Sequence, residues 1–339
     1  MKPLITALID TYNHERYIEQ AVVSVLEQGL SPAELEIVVV DDGSTDNTSS
    51  IIQKFAPRVK NVRKKNGGQA SAFNAGFREA HGQIVALLDG DDWWAKGKLA
   101  AVVGALEQNP EVSGVGHGYY EFHEQTKETR VCVPEAKTLV NIGTLEGARA
   151  ALRAWGFLLM GALTVRRKVL EWIMPIPEEM IFMADSAIQA AAMAMGAIVL
   201  EEPLFYYRFH AQNLYAVGPE NAAKLRRRYE MTELAYSTVY RMMIDRGVPL
   251  ASASMLLKTP WVDAKRLNLS TFGGSRLKAF QTEMQDFRLS YENPSAAYRV
   301  FKYLAVGAAT MLLPAKRFYQ LRRWYGRKNL GRVRERVIA

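Results

Sequence analysis

Two of the most apolar runs in the chain each end in a cluster of carboxylates, and this pattern limits the folds that the chain can adopt. Residues 36–40 (EIVVV) lead into the acidic pair at 41–42, and residues 84–88 (IVALL) lead into DGDD at 89–92. A continuous aliphatic run is typical of a strand buried on both faces of a parallel sheet. Carboxylates grouped at its end repel one another unless a cation lies among them. The pattern therefore predicts a cation-binding site at the end of a buried sheet.

Strand and helix patterns alternate through the first third of the chain. Strands are predicted at 4–9, 36–40, 59–63 and 84–88, and helices at 17–28, 44–55, 69–80 and 96–108. Alternation at this spacing predicts an α/β fold, with a mainly parallel sheet flanked by helices. Further strands are predicted at 114–122, 130–134, 198–201 and 204–209, and further helices at 145–155 and 184–195.

The C-terminal part of the chain has a different composition. Helices are predicted at 222–246, 251–269, 276–290 and 295–313, followed by a basic helix after Pro314. We therefore predict two regions, a catalytic α/β domain at 1–218 and a helical region at 219–339. The net charge of +8 originates in the second region, because residues 299–339 hold eleven basic side chains and one acid.

Composition excludes several classes of protein. With 339 residues and 49% hydrophobic residues, the chain is long and apolar enough for a packed core. The single cysteine, Cys132, allows neither an internal disulfide nor a cysteine cage for a metal. No apolar run reaches the roughly 20 residues of a spanning helix. We expect a cytoplasmic protein, with peripheral contact to the inner face of the plasma membrane as an option.

Both acidic clusters lie where a sheet of this kind binds ligands. Ligands of open α/β sheets bind beyond the carboxyl ends of the strands. Carboxylates at such a place hold a divalent cation that bridges to phosphates, or accept hydrogen bonds from a base or a ribose. For Asp41, Ser44 and Asp46, capping of the next helix is an alternative. Capping does not explain the run at 89–92, because no cap needs three carboxylates after a buried strand.

Four ordered segments resemble family 2 glycosyltransferases with the GT-A fold. They are DTYNHERYIEQAVVSVLEQ (10–28), EIVVVDDGSTDNT (36–48), NGGQASAFNAGFREAHGQIVALLDGDD (66–92) and EEPLFYYRFH (201–210). The resemblance covers roughly the first 210 residues. It implies an inverting enzyme of the hexosyltransferase type. Such an enzyme moves a sugar from a nucleotide-diphosphate donor, by default a UDP-sugar, to a saccharide or a lipid-linked glycan.

The resemblance also implies roles for individual residues of the donor site. Tyr12 would stack on the base, Asp42 would accept a hydrogen bond from it, and Thr11 and Asn74 would line the nucleotide pocket. Asp89 and Asp91 would hold the ribose and the diphosphate, the latter through Mn²⁺ or Mg²⁺. The cation behind the carboxylate cluster would thus be a divalent metal.

Three residues further along the chain complete the implied site. Asp185 lies at the family's position for the general base, where Ala184 replaces the usual glutamate, and capping of the helix is the alternative role. Arg208 would bind the diphosphate through its forked guanidinium. His210 is a metal ligand or a strand histidine with a local hydrogen bond. The remaining four histidines, His14 among them, show no metal-ligand spacing.

For several residues the sequence is compatible with more than one role. Asp10 lies where the family usually has proline or a small residue, and it either affects the choice of nucleotide or forms a salt bridge with Arg63 or Lys65. Trp93 and Trp94 line the sugar pocket or pack in the core. Residues 299–339, in which aromatic and basic residues alternate, fit an anionic membrane surface or a helix packed on the protein. No nucleic-acid motif accompanies these charges, and we expect no such partner.

The acidic clusters also occur in two other classes of protein. A haloacid-dehalogenase-like phosphatase also places D-x-D after a strand, but Trp93 occupies the position where it needs threonine or valine. A degenerate transferase, kept as a nucleotide-binding or scaffold subunit in envelope glycan assembly, would account for Ala184 and Asp10. The intact Asp89, Asp91 and Asp185 favour the enzyme.

Overall fold

The computed structural model of the chain describes residues 4–211, 213, 222–288 and 296–322. The chain forms two compact units. One contains residues 1–219 and 238–252, and the other contains 220–237 and 253–339. The assignment of catalysis to residues 1–218 stays a prediction.

The first part of the chain contains every strand and helix that the alternating pattern predicts. The elements are β1 (Ile5–Thr11), α1 (Ile18–Leu26), β2 (Leu35–Asp41), α2 (Thr48–Gln53), β3 (Lys60–Arg63), α3 (Gln69–Glu79), β4 (Ile84–Asp89), β5 (Trp93–Trp94) and α4 (Lys98–Gln108). Only β5 was not predicted, because two residues are too few to show a period.

The middle of the chain departs further from prediction. Its elements are β6 (Gly114–His123), β7 (Thr129–Cys132), β8 (Thr138–Val140), α5 (Leu145–Ala154), β9 (Thr164–Arg166), α6 (Arg167–Ile173), α7 (Asp185–Ala194) and β10 (Ala197–Phe209). The two strands predicted near residue 200 are one strand, β10. Its pairing with β6 shifts register on both sides of Pro203. Proline lacks the N–H that a ladder needs, so it marks an irregularity that resembles a strand end in the sequence.

The ten described strands form one mixed sheet. The order is β3-β2-β1-β4-β9-β6-β10-β5, with β7 on β6 and β8 on β10. The pairs from β3 to β4 are parallel, as predicted. Beyond β4, the only parallel pair is β6 with β10, and β9, β5, β7 and β8 all pair antiparallel. The carboxyl ends of β1, β2 and β4 therefore point to one edge.

The parallel part of the sheet is buried on both faces, which explains its unbroken apolar runs. On one face, Ile5, Ala7 and Ile9 of β1 join a core that includes residues of α1 and α4. On the other face α3 approaches so closely that a Cβ at Gly76 would lie 2.4 Å from Leu8. Helices on both faces leave the strand ends as the accessible part of this sheet.

The remaining described elements are helical. They are α8 (Ala222–Asp245), α9 (Leu250–Phe272), α10 (Arg276–Arg288) and α11 (Ala296–Leu312), followed by helical residues 315–322. In the second unit, a small core that includes Leu269, Phe318 and Tyr319 lies beside an ion-pair network. There Arg266 bonds Glu283 at 2.9 Å and Asp286 at 2.6 Å. The predicted basic tail beyond residue 322 lies outside the described residues.

None of the described helices combines the length and the apolar composition that a membrane crossing requires.

Candidate active site

The register of the parallel strands brings the predicted site residues together. Asp10, at the end of β1, is directly opposite Asp89, at the end of β4. The amide of Gly90 donates to the Asp10 carbonyl at 2.9 Å, and the amide of Asp42 donates to the Thr11 carbonyl at 2.9 Å. Two acidic clusters that are distant in sequence thus lie at adjacent strand ends.

Asp91 is the focus of a group of polar side chains. Its Oδ2 lies 3.0 Å from Nε2 of His210, 3.5 Å from Nδ2 of Asn213 and 3.8 Å from Nε2 of His14. Burial alone would raise the pKa of Asp91. The hydrogen bond from His210 and the charge of His14 outweigh that effect and hold the pKa below its usual range. The pKa of Asp91 is therefore shifted in the opposite direction to the pKa values of Asp10 and Asp89.

His14 is a site residue that the sequence did not reveal. Its Nδ1 lies 3.2 Å from Thr11 Oγ1, and its backbone amide donates to Thr48 Oγ1 at 2.9 Å. These contacts turn Nε2 toward Asp91. Burial lowers the pKa of His14 below its ordinary value although Asp91 opposes the shift. The only sequence signal was its position in the loop after β1, beside the predicted Thr11 and Tyr12.

The pKa values of Asp10 and Asp89 are raised by burial and by the charges of neighbouring carboxylates. Burial, and then the charges of Asp91 and Asp185, raise the pKa of Asp10 to about 8. Burial, and then the charge of Asp10, raise the pKa of Asp89 well above its usual range. Oδ1 of Asp10 is buried without a hydrogen-bond partner. The salt bridge considered for Asp10 is not formed, because Arg63 lies 3.6 Å from Asp41 and the described residues include no ion pair between Lys65 and Asp10.

The donor set of this cluster fits a hard divalent cation in chemical type. Carboxylate oxygens are preferred ligands of Mn²⁺ and Mg²⁺, and neutral imidazole is a common metal ligand. A buried carboxylate oxygen without a partner, as at Asp10, is also a group that a cation would stabilise. No set of three His, Cys, Asp or Glu side chains among the described residues is arranged to hold a metal by itself. A cation bound here would need further oxygens, such as those of a diphosphate.

Substitution of Asp10 tests the electrostatic repulsion among the buried carboxylates at the strand ends. Its raised pKa means that folding disfavours the ionised form, so the wild-type free energy of unfolding should fall as pH rises from about 4 toward 8. Without added metal, Asp10→Asn should flatten this fall and add about 1–2 kcal/mol at pH 8. Chemical denaturation across pH measures both effects.

Asp46 provides the matched control for that experiment. Burial opposes ionisation of Asp46, but hydrogen bonds from Thr48 and Glu15 outweigh it and lower its pKa. Asp46→Asn should therefore reduce stability at pH 8, in the opposite direction to Asp10→Asn. A loss of stability in Asp10→Asn as well would contradict the repulsion.

Asp185, the predicted base, is the first residue of α7. Ala184 occupies the N-cap position, so Asp185 is not the N-cap residue of α7. Oδ2 of Asp185 accepts a hydrogen bond from Gln189 at 3.0 Å. Burial raises the pKa of Asp185 to about 6, although backbone N–H groups at the helix start oppose the shift. The charge of Asp185 contributes to the raised pKa values of Asp10 and Asp89, so the three carboxyls share one electrostatic environment.

The start of α7 and the loop before it are tied to Gln69, the first residue of α3, by hydrogen bonds. Gln69 Oε1 accepts from the Ala184 amide at 2.8 Å, and the Gln69 amide donates to the Ile181 carbonyl at 3.0 Å. Gly68, with a φ of 84°, must be glycine at this contact, because a Cβ would lie 2.6 Å from the Cα of Ile181. These contacts fix the loop before α3 relative to the start of α7, where Asp185 lies.

Asp42 organises the loop between β3 and α3. Its carboxylate accepts from Lys64 Nζ at 2.6 Å, from the Gly67 amide at 3.0 Å and from the Gly68 amide at 2.7 Å. The side chain is almost wholly buried, with 4% of its surface exposed. In this conformation both oxygens bond to the loop, so a nucleotide base would share the carboxylate with Lys64 and the two amides.

The other predicted nucleotide residues differ in how accessible they are. Tyr12 is 44% exposed, and its ring is open to a stacking partner. Thr11 is buried and faces His14. Asn74 is buried with its side-chain amide bonded in both directions to the backbone of Ile176, at 2.8 and 2.9 Å. Asn74 therefore ties α3 to a loop, and Tyr12 is the more accessible of the three.

Arg208 is bound mainly by the protein. Its backbone amide donates to Asp92 at 2.8 Å, its Nε to the Asp91 carbonyl at 2.7 Å and its Nη2 to Gln20 at 2.6 Å. The guanidinium carbon lies 4.4 Å from the ring centre of Trp93 and 4.8 Å from that of Tyr17. Arg208 thus positions the turn that presents Asp91, and among the described residues its Nη1 has no hydrogen-bond partner that would compete with a phosphate.

The two tryptophans after this turn have different environments. Trp93 stacks on Tyr206 with ring centres 4.6 Å apart and planes 5° from parallel. Trp94 is 3% exposed and packs in the core, with Lys98 Nζ 4.0 Å above its ring. Trp94 therefore packs in the core, which was one of its two predicted roles. Trp93 instead lies against the guanidinium of Arg208.

Comparison with solved structures identifies the class of fold. TarS of S. aureus, solved in complex with UDP, superposes with a TM-score of 0.64 at 17% identity, over 92% of this chain and 90% of that chain. PcManGT, a mannosyltransferase of Pyrobaculum calidifontis in complex with GDP-Man and Mn²⁺, gives 0.51 at 21% identity, over 92% and 88%. This likeness shows the fold of the chain, which is the GT-A fold with a central sheet flanked by helices.

Sequence comparison gives the family. The description "Glycosyl transferase family 2" belongs to the profile that matches residues 6–172. An uncharacterised glycosyltransferase of Nostoc sp. is 37% identical over 241 residues, which are 67% of this chain and 73% of the relative. EpsJ of Bacillus subtilis, also an uncharacterised glycosyltransferase, is 28% identical over 229 residues, 63% of each chain. The chain belongs to glycosyl transferase family 2, and it is a transferase enzyme.

Proposed function

We propose that this protein is an inverting, metal-dependent glycosyltransferase. Its donor is a nucleotide-diphosphate sugar, with UDP as the default nucleotide, and its acceptor is a hydroxyl of a saccharide or a lipid-linked glycan. One observation carries the proposal: Asp185, with a pKa near 6, shares an electrostatic environment with the strand-end carboxyls beside Asp91 and His210. A carboxyl that can accept a proton, electrostatically coupled to the carboxyls of a cation site, suits sugar transfer.

Asp91 and His210 would hold the divalent cation, Mn²⁺ or Mg²⁺, together with oxygens of the diphosphate. When bound, the cation would act as a Lewis acid that stabilises the leaving diphosphate. Asp89 would bind the ribose. Arg208 would keep Asp91 in place and contribute Nη1 to the diphosphate. The complexes of TarS with UDP-GlcNAc and of PcManGT with GDP-Man and Mn²⁺ support this kind of donor.

Tyr12, Thr11, Asp42 and Asn74 would form the nucleotide pocket in different ways. The exposed ring of Tyr12 would stack on the base, and Asp42 would accept a hydrogen bond from it. Thr11 would shape the pocket through His14, and Asn74 would shape it through the loop that it fixes at Ile176. We assign these different roles because the Tyr12 ring is exposed, whereas the side chains of Thr11 and Asn74 are buried.

Asp185 would act as the general base. As the acceptor oxygen attacks the anomeric carbon, its proton passes to a carboxylate oxygen of Asp185. The bond between the sugar and the diphosphate breaks, and the configuration at the anomeric carbon is inverted. A pKa of about 6 suits this role, because the carboxylate is ionised at neutral pH but remains a competent proton acceptor.

A degenerate transferase, which binds nucleotide without turnover, is the second candidate. Ala184 in place of the family's glutamate and the additional carboxylate Asp10 favour it. It predicts nucleotide binding with no sugar transfer in any donor and acceptor screen. A screen for sugar transfer by the wild type, beside a measurement of its nucleotide binding, distinguishes the two candidates.

A thermal-shift experiment with UDP, GDP and dTDP, each with and without Mn²⁺, tests the donor site. A nucleotide at about 100 times its dissociation constant should add roughly 2.7 kcal/mol to the stability of the unit that binds it. That gain corresponds to a rise in midpoint of about 5–10 °C. We expect one nucleotide to give this shift only when Mn²⁺ is present.

Two outcomes would change the proposal. An equal shift without Mn²⁺ would remove metal dependence but keep the nucleotide site. The absence of a shift with every nucleotide, in a protein that melts cooperatively, would contradict the proposed donor site.

A further inference from the structure

One face of α11 is apolar and exposed to solvent. Val300, Leu304, Met311 and Leu312 are 58, 62, 50 and 74% exposed, and Tyr303 is 42% exposed. The spacing of these residues places them on one side of a helix. On the opposite side, Val306 and Ala309 pack against the core of the same unit. We call the exposed side, formed by residues 300, 303, 304, 308, 311 and 312, the apolar face.

The apolar face carries no charge. Residues 303–313 (YLAVGAATMLL) include no Asp, Glu, Lys or Arg, so this stretch of α11 supplies no charged side chain that could shield Leu304 or Leu312. Surface helices of soluble proteins normally present polar residues to water. A contiguous exposed apolar surface marks a contact with a partner or a membrane.

Exposed basic residues lie near the apolar face in sequence and on the neighbouring helix of the same unit. Lys316 and Arg317, just after α11, are both exposed. On α10, which contacts α11, the exposed Leu277 stands between the exposed Arg276 and Lys278. Residues 296–339 hold one acid, Glu335, against eleven basic residues, six of which follow residue 322 in sequence. The described exposed residues next to α11 in the chain, and at the start of α10, thus include four basic side chains, Arg276, Lys278, Lys316 and Arg317.

We propose that the apolar face of α11 docks on an anionic lipid surface, with these basic residues facing the headgroups. An amphipathic helix binds such a surface through its buried apolar area and through its attraction to anionic lipid. A second copy of the chain fits less well, because an isologous contact would bring the same basic residues together. The inference rests on the proposed function only for the acceptor, which would be lipid-linked and available at that surface.

Vesicle flotation with the full chain tests the docking. Wild type should float with vesicles of phosphatidylcholine and phosphatidylglycerol, increasingly as phosphatidylglycerol rises, and should be released by high salt. Leu304→Glu and Leu312→Glu should each reduce the bound fraction about tenfold, because each places a charge on the apolar face. Leu304→Ser is a milder variant that should give an intermediate loss.

Leu250→Glu is the matched control. Leu250 is 54% exposed on α9 and does not belong to the apolar face. It should bind as wild type does. Equal flotation of Leu304→Glu and wild type would overturn the proposal. So would a dimer in analytical ultracentrifugation that Leu304→Glu dissociates, in a chain that does not bind vesicles. Flotation needs no sugar transfer, so its failure is distinct from failure of the proposed activity.

Discussion

Asp185→Asn should lower the turnover number about 10²–10⁴-fold, because the carboxamide cannot accept the acceptor's proton. Nucleotide binding should survive, since the proposed nucleotide and cation contacts are made by other residues. The side chain has nearly the same shape, and Gln189 can still bond to its oxygen. Measurement of kcat beside the nucleotide-induced thermal shift separates loss of chemistry from loss of binding.

Glu179→Gln is the matched control for Asp185→Asn. Glu179 is an exposed carboxylate on the segment just before α7, and its neutralisation should leave kcat within about twofold of wild type. Equal kcat in Asp185→Asn and wild type would remove Asp185 as the base. A wild type that binds nucleotide but transfers no sugar would support the degenerate-transferase alternative.

The same assignment predicts the pH dependence of the reaction. Because burial raises the pKa of Asp185 to about 6, the base is ionised above that pH and protonated below it. At saturating metal and donor, kcat should fall as pH drops through about 6 and level off above about 7. The Asp185→Asn variant should lose this acidic limb.

Asp91→Asn should have the second large effect. Loss of a carboxylate that holds the cation removes several kcal/mol of transition-state stabilisation, so kcat/KM should fall about 10³-fold. The Mn²⁺-dependent part of the nucleotide thermal shift should disappear as well. Glu19→Gln, which neutralises an exposed acid on α1, should change neither quantity.

A double-mutant cycle makes the assignment of Asp91 sharper. Nε2 of His210 lies 3.0 Å from Oδ2 of Asp91, so both would act through one cation. Asp91→Asn and His210→Ala together should cost little more than the larger single effect. Costs that add in full would show that the two residues act independently, and the shared cation would be rejected.

Much of the fold could be predicted from local pattern. The runs at 36–40 and 84–88 are continuous because parallel strands are buried on both faces, and they match β2 and β4. The short antiparallel strands β5, β8 and β9 were not predicted, since two or three residues carry no measurable period. β10 was predicted as two strands because Pro203 interrupts the pattern, although the backbone continues through it.

Some residues of the candidate site were likewise predicted from the sequence, and others were found only in the structure. Asp89, Asp91, Asp185 and His210 were named from motifs whose residue types suit sugar transfer, and their roles stay predictions. His14 was not named, because nothing in its local sequence distinguishes it from an ordinary loop histidine. Arg208 was assigned to phosphate alone, since its bonds to Asp91, Asp92 and Gln20 link positions that are far apart in the chain.

The sequence by itself determined the α/β class, the parallel half of the sheet and the two strand-end acidic clusters, because hydrophobic period and residue type are local properties. The tertiary structure decided which groups meet. It brought His210 onto Asp91 across 119 residues, left the Asp10 oxygen without a partner and exposed one uncharged face of α11. Contacts, burial and shifted pKa values depend on distances between remote segments, and only the folded chain sets those distances.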